Sequence, residues 1–461
     1  MQEICTLSIR RRISPYFLFF LLCLFLYLPS AFLRVPFPPD EIRFLKIAKS
    51  LHTLRDFFFP KYFDSLYYDK PPLYFWILKL FLRFNLSNLL VLPILFNCFV
   101  SWGILSLNYL FFKKEGAEEV GLVSSLILAT TAVFYGMNIV VRMDILFLFF
   151  LLLSFYSFLL YLKSKKMFLL IVSSLSCFLA VFTKGALGII FPFSLGIFSG
   201  IILKNKEIVK KAFLTYSISL FLILIWLTSF SQLEKGYFKE MFYNQTLSRG
   251  FGGMGHIRSF FYYFAFFIPL FLPYSFLSLG CFSFRGGNFW EKLFFGWFIG
   301  GFFLLSFFSS KLPTYLLILA PALAVLVSRF LLEGKREKLK RWLFYISGGF
   351  LIASWFFAYF YFKIKNEFIP STAFLLLILF VGLNVLMIRK KSIQQFRIFF
   401  LFWLIFLQVV VFFYVPMANK YFEFKEFPSI SNYPCDIFRE KVKIFDRKDS
   451  NVKIKAWILR G

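Results

Sequence analysis

The feature that most constrains this chain is a succession of apolar runs, each about twenty residues long, separated by short basic clusters. A run of that length can cross the hydrocarbon core of a bilayer as a helix, because a helix satisfies its own backbone hydrogen bonds. With 60% hydrophobic and only 16% charged residues, the composition excludes a single soluble core. The pattern predicts an all-α integral membrane protein with about thirteen transmembrane helices, near residues 16–34, 86–112, 120–140, 144–162, 167–183, 185–203, 212–230, 259–283, 291–309, 313–332, 342–363, 371–388 and 396–415.

The basic clusters predict how the chain is oriented. A formal net charge of +29 could indicate a nucleic-acid partner, but Lys and Arg form no continuous basic stripe, so we expect no nucleic acid to bind. Positively charged loops are retained in the cytoplasm. If the N-terminus is cytoplasmic, every strongly basic turn falls on that side, at residues 113–114, 163–166, 204–211, 285–292, 335–341 and 389–397.

This orientation divides the chain into a transmembrane domain, residues 1–415, and a small polar outer tail, residues 416–461. The long outer loops are 35–85 and 231–258. The charge pattern holds only if the apolar stretch 71–84 does not cross the membrane, and about fourteen residues are few for a span. The stretch 40–52 has one apolar and one basic helical face. We therefore predict two interfacial helices in the first outer loop.

Two adjacent carboxylates, Asp40 and Glu41, stand at the start of the first interfacial helix. The positive end of a helix dipole favours acidic residues there. The pattern alone favours simple capping by Asp40 with a solvated Glu41. The alternative is that one of the two carboxylates serves as a catalytic base.

Later in the same loop, Tyr67, Asp69 and Lys70 precede a pair of prolines that fixes the start of the second interfacial helix. The ammonium group of Lys70 could hold a lipid phosphate. Ordinary snorkelling of a lysine toward headgroups explains the position equally well.

Four more charged residues fall at outer turns. Arg142 and Asp144 lie between the third and fourth predicted spans, where ionisable groups are costly and usually functional, although a structural ion pair would also explain them. Lys184 and Lys311 each stand in an otherwise uncharged outer turn, against the positive-inside trend. Two such exceptions favour a phosphate held from the outer leaflet over plain interface anchors.

The loop 249–258 is rich in glycine and contains His256, one of only two histidines, and Arg258. Glycine makes the loop flexible. No strand precedes it, so it is not a dinucleotide-binding motif. A single histidine does not make a metal site.

Six motifs therefore follow one another between about residues 36 and 320. Each motif is weak alone, but in this order they resemble the GT-C membrane glycosyltransferases, in the branch of the protein O-mannosyltransferases and the bacterial aminoarabinose transferases that act on lipid A. The resemblance implies a GT-C bundle in a bacterial inner membrane, with the active site and the C-terminus in the periplasm. The motifs are Asp40-Glu41 with Arg43, Asp69-Lys70-Pro71-Pro72-Leu73, Arg142-Met143-Asp144, Thr183-Lys184-Gly185, Gly255-His256 and Lys311-Leu312-Pro313-Thr314-Tyr315.

The resemblance also implies a reaction, an inverting transfer of a sugar from a polyprenyl phosphate such as undecaprenyl phosphate. The acceptor would be lipid A, another envelope glycan or a protein hydroxyl, and membrane lipids would surround the site. Asp40, as the base, with Glu41 and Asp144 are the candidate catalytic residues. Cations near the departing phosphate would stabilise its growing charge. The candidate substrate-binding residues are Arg43, Tyr67, Lys70, Arg142, Lys184, Arg258, Lys311 and Tyr315.

No cofactor is required for such a transfer, but a structural metal is a further expectation. In the lipid A branch a glutamate before Lys-Pro-Pro can bind a metal together with a histidine of the later outer loop. Asp69 takes the glutamate position here. The resemblance thus makes Asp69 and His256 candidate ligands of a structural divalent metal such as zinc.

A transporter or flippase of lipid-linked sugars, with no covalent chemistry, is the alternative function. It would also need basic outer residues and a polytopic bundle. The carboxylate pair on an outer loop favours the enzyme, as does the absence of interrupted spans repeated in two halves.

Overall fold

The computed structural model describes residues 14–364, apart from 38, 64, 85, 238, 249, 251–255 and 284–287, together with 392–414, 416 and 419. The chain is mostly helical, as long apolar runs in a membrane require. The α-helices are α1 (Pro15–Tyr27), α2 (Ser30–Leu33), α3 (Asp40–Lys49), α4 (Leu54–Phe58), α5 (Leu73–Leu82), α6 (Val91–Lys114), α7 (Glu118–Thr130), α8 (Ala132–Asn138), α9 (Asp144–Ser164), α10 (Met167–Lys184), α11 (Leu187–Ile202), α12 (Lys206–Leu233), α13 (Tyr262–Leu270), α14 (Phe289–Phe307), α15 (Ala320–Leu332), α16 (Glu337–Ile364) and α17 (Ser392–Val409).

Other regular elements are short. Two 3₁₀ helices, Leu277–Ser283 and Pro313–Leu319, follow α13 and precede α15, and two π-helical segments are Lys239–Ser248 and Val410–Tyr414. The first outer loop also contains an antiparallel hairpin, β1 (Lys61–Tyr62) and β2 (Ser65–Leu66), in which Lys61 pairs with Leu66.

Seven helices in the described part of the chain are long and apolar enough to cross a membrane, or eight if α7 and α8 count as one bent span. The prediction of a multi-span, all-helical membrane protein is confirmed. The number thirteen stays a prediction. The predicted span 371–388 lies outside the described residues, as does the tail 416–461 except for Pro416 and Asn419.

The predicted span 120–140 is broken. Helices α7 and α8 meet at an angle of 63°. Thr131 between them has an extended backbone, with ψ at 132°, and the Ala132 N–H donates to the Leu272 carbonyl of another segment, 2.9 Å away. Because that N–H bonds outside its own helix, the chain can turn here and bring the end of α8 beneath the first outer loop.

The first outer loop contains the two short helices that were predicted. Helices α3 and α5 have ten residues each, about 15 Å of length, too little to span a bilayer. They pack against each other through Phe44, whose ring centroid lies 6.2 Å from that of Tyr74 and 5.7 Å from that of Phe75. That they lie flat on the membrane remains a prediction.

Helix α4 was not predicted. It starts with a capping box in which the Thr53 hydroxyl accepts from the Asp56 N–H and the Asp56 carboxylate accepts from the Thr53 N–H. The Thr-x-x-Asp pattern could have signalled this start, but the helix has only five residues and shows no apolar periodicity.

Candidate functional site

Four side chains of alternating charge form a chain where α3, α9 and α10 meet. Asp40 begins α3, Arg142 lies in the turn before α9, Asp144 begins α9 and Lys184 ends α10. Arg142 forms an ion pair with Asp40, and its Nε donates to Asp144 Oδ2 at 3.1 Å. Lys184 Nζ donates to Asp144 Oδ1 at 2.6 Å. We call these four residues the charge chain.

Exposure differs between the two ends of the charge chain. The side chain of Asp40 is 31% exposed and that of Arg142 19%, whereas Lys184 and Asp144 retain 7% and 1%. Burial alone would lower the pKa of Arg142, but the carboxylates of Asp144 and Asp40 outweigh it and raise that pKa above its usual value. Arg142 therefore stays cationic, and Asp40 is the more exposed of the two carboxylates in the charge chain.

Glu41 lies in a different environment from Asp40. It is 2% exposed and accepts from both terminal nitrogens of Arg34, at 2.6 Å each. It also accepts from the backbone N–H groups of Phe37 and Val141. Both carboxylate oxygens are thus occupied. A catalytic role for Glu41 stays a prediction, and these bonds favour a positioning role, since they tie the start of α3 to the turn that carries Arg142.

Asp144 also has a positioning role. Its two oxygens bind Lys184 and Arg142, and it is almost fully buried, so the position is unfavourable for a carboxylate that must take a proton from a substrate. Asp144 instead joins the two cations, because it is bonded to both.

Sequence reasoning missed the residues that hold the turn between α8 and α9. The amide of Asn97, in α6, donates to the carbonyls of Asn138 and Val140 at 3.1 and 2.9 Å. The Arg34 Nε donates to the Ile139 carbonyl at 2.8 Å. An asparagine inside an apolar span was the available signal, because such a group needs a partner.

A second polar group lies at the junction of β2 and α5. The Tyr67 hydroxyl donates to Asp69 Oδ2 at 3.1 Å and also hydrogen-bonds to Arg43. Burial and the Asp69 charge raise the pKa of Tyr67, so its hydroxyl remains a proton donor. Lys70 Nζ lies 3.4 Å from Asp69 Oδ1. Lys70 is also close enough to Lys184 for their charges to interact, so this group borders the charge chain.

Lys311 bonds to the backbone. The second outer loop pairs with the turn after α14 through the bridge between Ile257 and Ser310. Lys311 Nζ donates to the Phe308 carbonyl and, at 3.0 Å, to the carbonyl of Arg258. It is 2% exposed, and burial lowers its pKa. That Lys311 binds the donor phosphate stays a prediction, and in the structure its ammonium is bonded to backbone carbonyls, including that of Arg258.

Arg258 and Tyr315 border the site from this side. The guanidinium carbon of Arg258 lies 6.0 Å from the ring centroid of Tyr262, and the side chain is exposed. Lys184 Nζ lies 4.9 Å from the ring centroid of Tyr315. The 3₁₀ helix Pro313–Leu319 therefore joins the charge chain to the turn that holds Arg258.

The expected metal site receives no support from the geometry. The Asp69 carboxylate is engaged by Tyr67 and Lys70, and His256 lies in an exposed loop. Within the part of the chain that the structure describes, no three His, Cys, Asp or Glu side chains come together as metal ligands. Asp69 and His256 do not provide the closed ligand set that structural zinc needs.

Comparison with known proteins supplies independent information. Residues 69–230 match the model of the dolichyl-phosphate-mannose-protein mannosyltransferase family. An uncharacterised protein of Aquifex aeolicus is 27% identical over 348 residues, 74% of this chain and 69% of that protein. The undecaprenyl phosphate-alpha-4-amino-4-deoxy-L-arabinose arabinosyl transferase of Enterobacter sp. (strain 638) is 26% identical over 66% of this chain. The match spans only 57% of that transferase.

The fold has a counterpart among solved structures. ArnT from Cupriavidus metallidurans, crystallised with undecaprenyl phosphate, superposes with a TM-score of 0.73 at 16% sequence identity, covering 87% of this chain and 77% of ArnT. The predicted GT-C architecture is confirmed. The family match, the relatives and the shared fold together support the predicted resemblance to the GT-C membrane glycosyltransferases, in the group of the protein mannosyltransferases and the aminoarabinose transferases.

Proposed function

We propose that the protein transfers a sugar from a polyprenyl phosphate to an acceptor at the outer face of the membrane, with inversion at the anomeric carbon. One observation carries this proposal. The partly exposed Asp40 stands at the accessible end of the charge chain, next to Arg142, and the cations of Lys70 and Lys184 lie within electrostatic reach of one another. A carboxylate beside clustered cations suits a reaction that removes a proton and releases a phosphate.

In this mechanism the acceptor oxygen attacks the anomeric carbon while Asp40 takes its proton. The bond between that carbon and the phosphate oxygen breaks, and the phosphate leaves with the electron pair. Lys70, Tyr67 and Arg258 would contact the phosphate and stabilise the charge it gains. Because Lys184 and Arg142 are already paired with Asp144, their main contribution is to fix the field around Asp40.

The donor class is supported by the relatives. ArnT of Cupriavidus metallidurans binds undecaprenyl phosphate, and the Enterobacter relative is named for an undecaprenyl-phosphate-linked sugar. We propose undecaprenyl phosphate as the carrier here, and lipid A, another envelope glycan or a protein hydroxyl as the acceptor. We also propose an inner-membrane location with a cytoplasmic N-terminus, a periplasmic site and a periplasmic tail.

The function itself is tested by mass spectrometry of envelope lipids and glycoproteins from cells with and without the gene. Loss of one sugar from one acceptor, with accumulation of its lipid-linked donor, is the expected result. Unchanged acceptors together with a donor trapped on the cytoplasmic side would favour the flippase alternative.

Replacing Lys70 with Ala is expected to weaken donor binding by about 10- to 100-fold, since a hydrogen bond to a charged group contributes about 1.5–3 kcal/mol. Binding of undecaprenyl phosphate to the purified protein in detergent measures the effect. Lys61→Ala is the matched control, because Lys61 lies in the same loop but is paired with Asp56 at 3.5 Å and is 45% exposed. If the two variants bound undecaprenyl phosphate with equal affinity, Lys70 would not contribute to donor binding.

A further inference from the structure

The C-terminal ends of α3 and α5 lie side by side and carry cations. Lys49 ends α3, and Lys79 and Arg83 lie in and just after the last turn of α5. Lys79 Nζ donates to the Lys49 carbonyl at 3.3 Å, which brings the two helix ends together. We call these three residues the basic patch.

The basic patch has no acidic partner in the part of the chain that the structure describes. Among the described residues, no carboxylate lies within ion-pair distance of Lys49, Lys79 or Arg83, whereas Arg55 and Lys61 in the same loop pair with Glu234 and Asp56. Burial and the adjacent Arg83 charge lower the pKa of Lys79. Like charges gathered without a counterion attract an anion from outside the chain.

Apolar side chains surround the same patch. Leu80 is 53% exposed and Phe84 63% exposed, although both are large and hydrophobic. The patch also lies close to the start of a membrane span, because α6 begins at Val91, and the Asn88 amide donates to the Ala31 carbonyl of α2 at 2.6 Å. The patch is therefore close along the chain to the start of a membrane span, as a lipid-headgroup site requires.

We propose that the basic patch binds the phosphate groups of anionic phospholipids, while Leu80 and Phe84 enter the acyl region. The combination favours a lipid over a soluble anion, because cations and exposed apolar side chains are neighbours at the end of α5. The positive-inside rule makes cations on an outer loop costly to retain without a use. Through α3 and α5, whose first residues flank Asp40 and Lys70, bound lipids would hold the first outer loop against the membrane.

The test uses the full chain in nanodiscs that contain equal amounts of phosphatidylglycerol and phosphatidylcholine, followed by native mass spectrometry of the lipids that stay bound. The wild type should retain mostly phosphatidylglycerol. In the double variant K49Q/K79Q the ratio of bound phosphatidylglycerol to bound phosphatidylcholine should fall by about fivefold for each cation removed. The matched control K235Q/K239Q removes two exposed lysines of the second outer segment, next to Glu234 and Glu240, and should keep the preference.

Three results would overturn the proposal. One is equal retention of phosphatidylglycerol by wild type and K49Q/K79Q. Another is a lower melting temperature of K49Q/K79Q with unchanged lipid preference, which would leave only helix capping by these lysines. The third is that K49Q/K79Q loses only its binding of a phosphorylated glycolipid acceptor, while its preference for phosphatidylglycerol stays the same. The proposal is separable from the transfer reaction, since D40N should keep the lipid preference even though it lacks activity.

Discussion

Replacing Asp40 with Asn is expected to lower the rate of sugar transfer by about 10²–10⁴-fold, the usual contribution of a general base. The amide cannot accept the acceptor proton, yet it occupies nearly the same volume beside Arg142. Donor binding should change far less, because Lys70, Tyr67 and Arg258 do not depend on the Asp40 charge. Single-turnover transfer from a radiolabelled lipid-linked sugar measures the first effect, and binding of undecaprenyl phosphate measures the second.

Glu234→Gln is the control for this experiment. Glu234 is an outer-loop carboxylate that pairs with the exposed Arg55 and lies outside the charge chain, so its loss should leave transfer within about twofold. Asp40 would lose its assigned role if D40N transferred sugar at the wild-type rate. Asp144→Asn should also reduce transfer, because Arg142 and Lys184 would then be misplaced. Added acetate or formate should not restore activity, because the carboxylate that is lost does not itself take the proton.

The sequence was sufficient to predict a multi-span helical membrane protein and to single out the four residues of the charge chain. The length of an apolar run distinguishes a spanning helix from a shorter one. The charge pattern predicted that 71–84 does not cross the membrane, and the structure has the ten-residue α5 there. Asp40, Arg142, Asp144 and Lys184 were named from three motifs, and the structure brings all four together. Charged residues at the ends of apolar spans are easy to recognise in a sequence, because they are costly there and are usually kept for function.

The sequence could not predict which group each charged side chain bonds to. Asp40 and Glu41 are adjacent and chemically alike, but the first turn of α3 directs one toward Arg142 and the other into a buried pair with Arg34. Lys311 likewise stood in the sequence as an isolated cation, and its partners are backbone carbonyls. Helical rotation and loop geometry decide such differences, and a pattern of residue types does not contain them.

The pair Arg34–Glu41 should therefore be essential for the position of Asp40. Arg34→Met leaves the Glu41 carboxylate buried without its cation, and breaking a buried pair in this way costs about 3–5 kcal/mol in the free energy of unfolding. The chain contains a matched exposed pair, Arg55–Glu234, with the same distance of 2.6 Å but 68% exposure of the Arg side chain. Arg55→Met should cost less than about 1 kcal/mol.

Tryptophan fluorescence during heating in detergent compares the two variants, and Arg34→Met should unfold at a clearly lower temperature than Arg55→Met. The double variant R34M/E41M should recover part of the loss, because both buried charges are then gone, although the N–H groups of Phe37 and Val141 lose their acceptor and the Ile139 carbonyl loses its donor. Transfer should remain low in the double variant even where stability returns, since α3 is no longer tied to the turn that carries Arg142. Equal melting of Arg34→Met and Arg55→Met would show that Glu41 finds another partner, and the positioning role would fail.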